Sequence, residues 1–325
     1  MRVALVTGGR GFAGAWLARA LLERGVDVVS LDRGRREGRA STLDLLGVES
    51  EVADVDGDLA DPEAIQVVLR RHRVDAVFHL AAAAIVGTAR GSPLRAFETN
   101  VRGTWNLLEA CRAEDVERVI VASSDKAYGT HSELPYREGF ALRPTAPYEA
   151  SKAAADLIAR CYWPSFGLPV AVTRFANMYG GGDLSFSRLV PEAVCAALDG
   201  RRPVLRSDGS PERDFLYVGD AAAAYLAIAD ALDRDEVRGE AFNAGGGRPH
   251  SIREVVELIA RLAGTGVEPE IRGTGSPPAD IPRQFVDATK LRELTGWAPE
   301  VDLSDGLRRT IDWYRTHPEA RPGRA

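Results

Sequence analysis

The chain has 325 residues, 45% of them hydrophobic and 27% charged, with a formal net charge of −6. This is ordinary globular material with room for one large or two modest domains, and its acidity argues against a general nucleic-acid or anionic-membrane binder. Cys111, Cys161 and Cys195 are widely spaced without metal-ligand pairing, which reads as reduced thiols of a cytoplasmic protein; neither a signal peptide nor a bilayer-spanning run is expected.

In chain order, Val3 to Val6 form an apolar strand, followed by TGGRGFAG and the helical pattern AWLARALLERG. Gly8, Gly11 and Gly14 make a turn that lets backbone approach a pyrophosphate at a helix N-terminus. A tight βα turn with nothing bound is the plainer reading, but strand before and helix after favour the nucleotide. VDVVSLD is a second strand ending in Asp32, an acid at the spacing that accepts from an adenosine ribose and favours NAD over NADP. Arg33, Arg35 and Arg36 follow, either near a phosphate or as a solvated loop. Glu51 to Asp58 is a third strand; Asp58 either hydrogen-bonds adenine or caps the helix starting near Asp61-Pro62. VDAVFHLAAAA is the fourth strand and its exit, where small Ala81, Ala82 and Ala83 let backbone lie against a dinucleotide. His79 reads as a packed strand residue. The next helix runs from about Pro93 to Ala113, and Asn100 inside it is a poor helix former expected to bond across to the neighbouring strand.

Val119 to Lys152 carries the chemistry. VIVASSDKAYG opens as a buried parallel strand ending in small polar residues. Tyr148 and Lys152 lie at i,i+4 on one helix face. A lysine beside a phenol lowers its pKa and makes Tyr148 a usable general base, with Ser124 orienting the same substrate oxygen. Such a trio suits removal of an alcohol proton while hydride leaves. A Tyr-x-x-x-Lys pair also arises by chance on solvated helix faces, so it requires the upstream dinucleotide signal.

LPVAVTRFANMYGGGD is a sixth strand with a glycine-rich exit. Beyond it come a helix (SFSRLVPEAVCAALDG), a short strand and turn (RPVLRSDG), a strand and helix (RDFLYVGDAAAAYLAIADAL), a strand (EAFNAGG), a helix (SIREVVELIARLAG), loops (QFVDATKLRELTGWAPE) and a last helix (LSDGLRRTIDWYRT). Strand–helix alternation predicts an α/β fold, a doubly wound parallel Rossmann sheet with a smaller mixed α/β substrate-binding domain on the C-terminal side. The expected division is 1–180 with 214–245 for the dinucleotide, and 181–213 with 246–325 for the substrate.

TGGRGFAG, Asp32, GDLAD, HLAA, NVRGT, SSDKAYG, YEASK, RFANMYG, RDFLYV and GWAP occur in the family order of the extended short-chain dehydrogenase/reductases that modify nucleotide sugars, and the chain resembles them over nearly its whole length. The resemblance implies bound NAD, a catalytic core of Ser124, Tyr148 and Lys152, and a homodimer through the helices carrying Asn100 and Tyr148. Phe12, Ala13 and Leu59 complete the expected cofactor contacts. Asp125 and Lys126 resemble the Asp-Lys pair of CDP-glucose 4,6-dehydratases, whereas the amino-terminal half is more typical of general epimerases. Asn177 matches a family position that contacts the substrate diphosphate.

Dehydration needs a proton donor to the 6-hydroxyl and a base at carbon 5. Asp125, if buried and protonated, supplies the first; Lys126, if depressed by burial and Lys152, supplies the second. The plainer reading is a turn cap and a solvated lysine. Arg213 and Arg283 are the diphosphate candidates, with Arg188 and Arg206 along the nucleotide, and surface ion pairs are the alternative for each. The leading expectation is an NAD-dependent nucleotide-sugar 4,6-dehydratase. A 4-epimerase, a nucleotide-uronate decarboxylase and a non-catalytic dinucleotide sensor stand behind it.

Overall fold

The computed structural model describes residues 1–34, 40–84, 89, 91–274 and 281–322. Its centre is a seven-stranded parallel sheet built from β1 (Val3–Thr7), β2 (Asp27–Asp32), β3 (Val52–Asp56), β4 (Ala76–His79), β5 (Arg118–Ala122), β6 (Val170–Phe175) and, later in the chain, β10 (Ala241–Ala244), in the order β10-β6-β5-β4-β1-β2-β3. The order reverses beside β1, so the carboxyl ends of β1 and β4 open on a crevice of the kind where such sheets bind ligands.

Strand residues alternate between two cores because side chains on a strand point to opposite faces. Ala4, Val6, Phe78, Ile120 and Ala171 face one layer with the Phe12–Leu22 and Val218–Asp230 helices. Leu5, Val77, Val119, Val121 and Val172 face the other, with the Pro62–His72, Gly103–Ala113 and Pro147–Phe166 helices.

A second sheet centres on β9 (Glu212–Tyr217). It pairs with β7 (Asn177–Tyr179) and β13 (Arg283–Gln284) in parallel and with β11 (Pro249–Ser251) antiparallel. β8 (Val204–Leu205) and β12 (Glu270–Ile271) form a small parallel pair. A third core joins these pieces to the Leu189–Leu198, Ile252–Ala263 and Leu303–Thr316 helices through Val194, Leu205, Phe215, Ile259 and Ile311.

Two local readings change. The stretch Gln284 to Glu300, expected as loop, contains a helix at Thr289–Thr295 closed by Gly296 in the left-handed conformation; seven residues are too few to display a clear period. The expected continuous helix from Pro93 to Ala113 passes through a π-helical segment at Glu98–Arg102, a bulge of the kind often found where side chains are re-aimed. Among the described residues no helix is long and apolar enough to cross a membrane.

Candidate active site

The glycine turn after β1 is shaped by backbone contact. Gly8 has φ +76°, and a Cβ there would stand 2.8 Å from the Ala81 nitrogen; a Cβ on Gly14 would stand 2.2 Å from the Gly8 carbonyl oxygen. Only bare backbone fits, which sets Gly8 against Leu80 and Ala81 at the exit of β4 and Gly11 at the N-terminus of the helix that begins with Phe12 and Ala13. Asp32 ends β2 and accepts from the Arg10 amide at 2.9 Å and the Ser30 hydroxyl at 3.0 Å. Burial pushes its carboxyl above the usual range, against those two hydrogen bonds. Backbone cradle, helix N-terminus and strand-end acid fit a dinucleotide.

Arg10 escaped the sequence reading. Its guanidinium lies 2.8 Å from Asp54 and 2.7 Å from Asp56 on β3, so the turn is tied across two strands. The signal available was a lone arginine inside the glycine run and two alternating acids in the third strand. Asp58 does not cap the following helix: Asp61 does, accepting from the Glu63 and Ala64 amides, while the exposed Asp58 accepts from Ala60 at 3.0 Å. Leu59, beside it, is buried. Arg33 contributes its carbonyl to Arg10 at 3.4 Å; Arg35 and Arg36 lie outside the described residues.

His79 is a packed residue, hydrogen-bonded to Thr7 at 2.8 Å and Thr104 at 2.9 Å and driven by burial to about 3, hence neutral. Asn100 reaches farther than the neighbouring strand. Its Oδ1 accepts from the Ala83 amide at 2.7 Å and its Nδ2 donates to Ser151 at 2.8 Å, joining the β4 exit to the Tyr148 helix.

That helix starts at Pro147, with Glu149 accepting from the Thr145 and Ala146 amides, an N-terminal lock that sets Tyr148 in the first turn. Tyr148 and Lys152 are both buried. Lys152 Nζ donates to the Ala122 carbonyl at 2.7 Å, and burial lowers the lysine to about 8. The expectation that Lys152 depresses the Tyr148 phenol is corrected. Burial holds that phenol above its ordinary value, and the influences that lower it are Arg188 and a hydrogen bond with Ser124.

Ser124 leaves β5 extended and starts the 3-10 turn Asp125–Tyr128, accepting from the Lys126 amide at 3.2 Å and donating to Asp125 Oδ1 at 3.2 Å. Asp125 is fully buried, and its Oδ2 has no hydrogen-bond partner among the described residues. Burial raises its pKa, opposed by Lys126, Ser124 and Arg213. An orphaned, desolvated carboxyl oxygen favours the protonated acid. Lys126 Nζ stands 3.7 Å from Asp125 Oδ1 and donates to Asn177 Oδ1 at 2.8 Å. Its neighbours are thus a carboxyl and an amide, where the sequence reading had expected Lys152.

Beneath this turn lies a network the sequence reading missed. Arg174 and Asp156 form a buried bidentate pair at 2.7 and 2.8 Å, and Arg174 reaches Tyr128, whose hydroxyl donates to Asn243 at 2.8 Å. The partners lie far apart in sequence, so no local pattern signals them. Asp214 was also missed: fully buried, it accepts from the Gly246 amide at 2.7 Å, and burial raises it to about 7.

The arginines divide. Arg213, on β9, is buried, bonded to the Glu212 carbonyl at 2.9 Å, and its charge acts on Asp125. Arg188 directly precedes the Leu189–Leu198 helix without capping it, lies 3.4 Å from Asp183, and its charge acts on Tyr148. Arg206 is exposed beyond β8, and exposed Arg283 pairs with Glu212, so Arg283 takes the surface ion-pair form.

Residues 5–310 match the family model described as GDP-mannose 4,6 dehydratase. The dTDP-glucose 4,6-dehydratase of Xanthomonas campestris pv. campestris (strain B100) is 34% identical, over 96% of this chain and 93% of that protein. Among solved structures, a double mutant of the dTDP-glucose 4,6-dehydratase of Streptomyces venezuelae with NAD bound superposes with a TM-score of 0.88 at 31% identity, covering 100% of both chains. The UDP-glucose 4-epimerase of Thermotoga maritima with UDP-glucose gives 0.88 at 28% identity, covering 97% of this chain and 99% of that one. The chain spans about half the length (47%) of several longer curated relatives it matches.

Proposed function

The chain belongs to the nucleotide-sugar dehydratase and epimerase family of extended short-chain dehydrogenase/reductases, and from that premise we propose that it is an NAD-dependent nucleotide-sugar 4,6-dehydratase. The observation that carries the reading is the buried Asp125, its Oδ2 without a hydrogen-bond partner among the described residues, beside Lys126 and directly after Ser124, which hydrogen-bonds Tyr148. A 4-epimerase requires neither an acid nor a second base there.

The glycine cradle, Asp32, Ala81, Ala82 and Lys152 would hold NAD, which when bound would provide the hydride acceptor for carbon 4 and the hydride for carbon 6. Tyr148 takes the 4-hydroxyl proton, and Ser124 holds that oxygen. The 4-ketone acidifies carbon 5, where Lys126 removes the proton while Asp125 protonates the departing 6-hydroxyl. The product is a nucleotide-linked 4-keto-6-deoxyhexose. Arg213 and Arg188, together with Asn177, are the groups we assign to the substrate side; a desolvated guanidinium fork suits a diphosphate.

We assign the substrate to the segments 181–213 and 246–325 and the cofactor to 1–180 and 214–245, although β9 at the start of the latter segment pairs in the smaller sheet. We also propose a cytoplasmic homodimer. Leu94, Phe97, Trp105, Leu157 and Phe166 are exposed on the two helix segments expected to pair, and the three cysteines are free.

The test is incubation of the purified protein, without added cofactor, with UDP-, dTDP-, CDP- and GDP-hexoses, followed by product mass. Loss of one water from one substrate supports the dehydratase; a stereoisomer of unchanged mass supports the epimerase. Light scattering reports the dimer.

A further inference from the structure

Asn177 opens β7 directly beyond the end of β6, and its side-chain amide is held between two fixed groups. Its Oδ1 accepts from Lys126 Nζ at 2.8 Å, and its Nδ2 donates to the main-chain carbonyl of Asp214 at 3.2 Å. Turning the amide over would set its NH2 against the N–H that Lys126 donates and its oxygen against a carbonyl, so both neighbours favour one orientation. The Asp214 end is anchored: its residue belongs to β9, and its carboxyl accepts from the Gly246 and Val286 amides at 2.7 and 3.4 Å. The Lys126 end lies 3.7 Å from Asp125 Oδ1.

We propose that Asn177 is a positioning residue for the elimination, anchoring the Lys126 amine beside Asp125 from the small sheet. This rests on the dehydratase reading and adds to the diphosphate contact assigned to Asn177. In the step concerned, the Lys126 amine takes the carbon 5 proton and the C5–H electron pair becomes the C5–C6 double bond. The C6–O bond breaks, and the Asp125 proton leaves with that oxygen as water. The elimination leaves Lys126 and Asp125 with opposite charges, at side chains whose Nζ and Oδ1 stand 3.7 Å apart. A neutral amide orients the nitrogen without a negative charge to hold it as ammonium. The ionisable groups facing this pair include Asp125 itself, Arg213 and Asp214 from β9, Tyr148 from its helix and Tyr136 from the loop before it.

The test uses the NAD-loaded enzyme in single turnovers with whichever nucleotide hexose loses water in the panel. NADH absorbance reports oxidation at carbon 4; solvent deuterium at carbon 5 and water loss report elimination. In Asn177→Ala, losing the diphosphate contact raises KM for both steps, so the two are compared at saturating substrate, where elimination slows roughly 10- to 100-fold relative to oxidation. The isosteric Asn177→Asp, which guards against a folding defect, is slow at neutral pH and recovers as pH rises, because the added carboxylate favours the ammonium. The proposal is overturned if oxidation and elimination fall together through KM alone and Asn177→Asp keeps the native pH profile. Full elimination in Lys126→Ala would instead overturn the underlying acid–base assignment, separating the two failures.

Discussion

The proposed cofactor cradle and the proposed acid–base turn sit at the ends of strands in one sheet and are built by opposite means. At β1 the work is done by absent side chains: Gly8 and Gly14 leave no room for a Cβ, and backbone forms the surface. At β5 it is done by side chains gathered from distant places, with Ser124, Asp125 and Lys126 on the turn, Tyr148 and Lys152 on a helix and Asn177 on another sheet. The first tolerates no added atom. The second tolerates isosteric change but loses its chemistry, so the two ought to fail differently.

Tyr148→Phe is the most damaging change to the chemistry. It retains NAD but loses about 10²- to 10⁴-fold in kcat, read by steady-state assay alongside the cofactor content of the purified protein. Gly14→Ala gives the mirror result, with NAD binding weakened by ~10- to 100-fold as the added methyl meets the Gly8 carbonyl; a purified variant retaining full cofactor would break the comparison. Asp156→Ala strips the partner from buried Arg174 and lowers unfolding stability by about 3–5 kcal/mol in denaturant titration. Asp214 gives a pH signature. Its folded pKa of about 7 lies above its ordinary 3.8, so the stability it contributes is fully present below that ordinary value and is lost as pH rises through about 7. Thermal melts across that window should decline with pH, and less so in Asp214→Asn. The smallest effect is Asp61→Ala, about 1 kcal/mol for the lost cap, while Asp58→Ala changes stability by less than about 0.5 kcal/mol.

The same contrast explains what was legible in the sequence. The glycine turn, Asp32, the small residues after β4 and the Tyr148–Lys152 pair are local patterns, because a strand end and one helix turn fix their neighbours within a few residues. His79 was legible as packing for the same reason. Arg10 with Asp54, Arg174 with Asp156, and Asn177 with Lys126 are pairings across the fold, which single-chain periodicity does not encode. The Lys152 influence on Tyr148 failed for a different reason: helix spacing placed both side chains on one face, but burial and the Ala122 carbonyl determine where the ammonium points and how the phenol titrates.

The most direct test of the central claim follows a nucleotide hexose deuterated at carbon 4 through one turnover. The Asp125–Lys126 account predicts loss of one water, with the deuterium recovered at carbon 6 of a 4-keto-6-deoxy product. A product of unchanged mass, inverted at carbon 4 and still deuterated there, would contradict it.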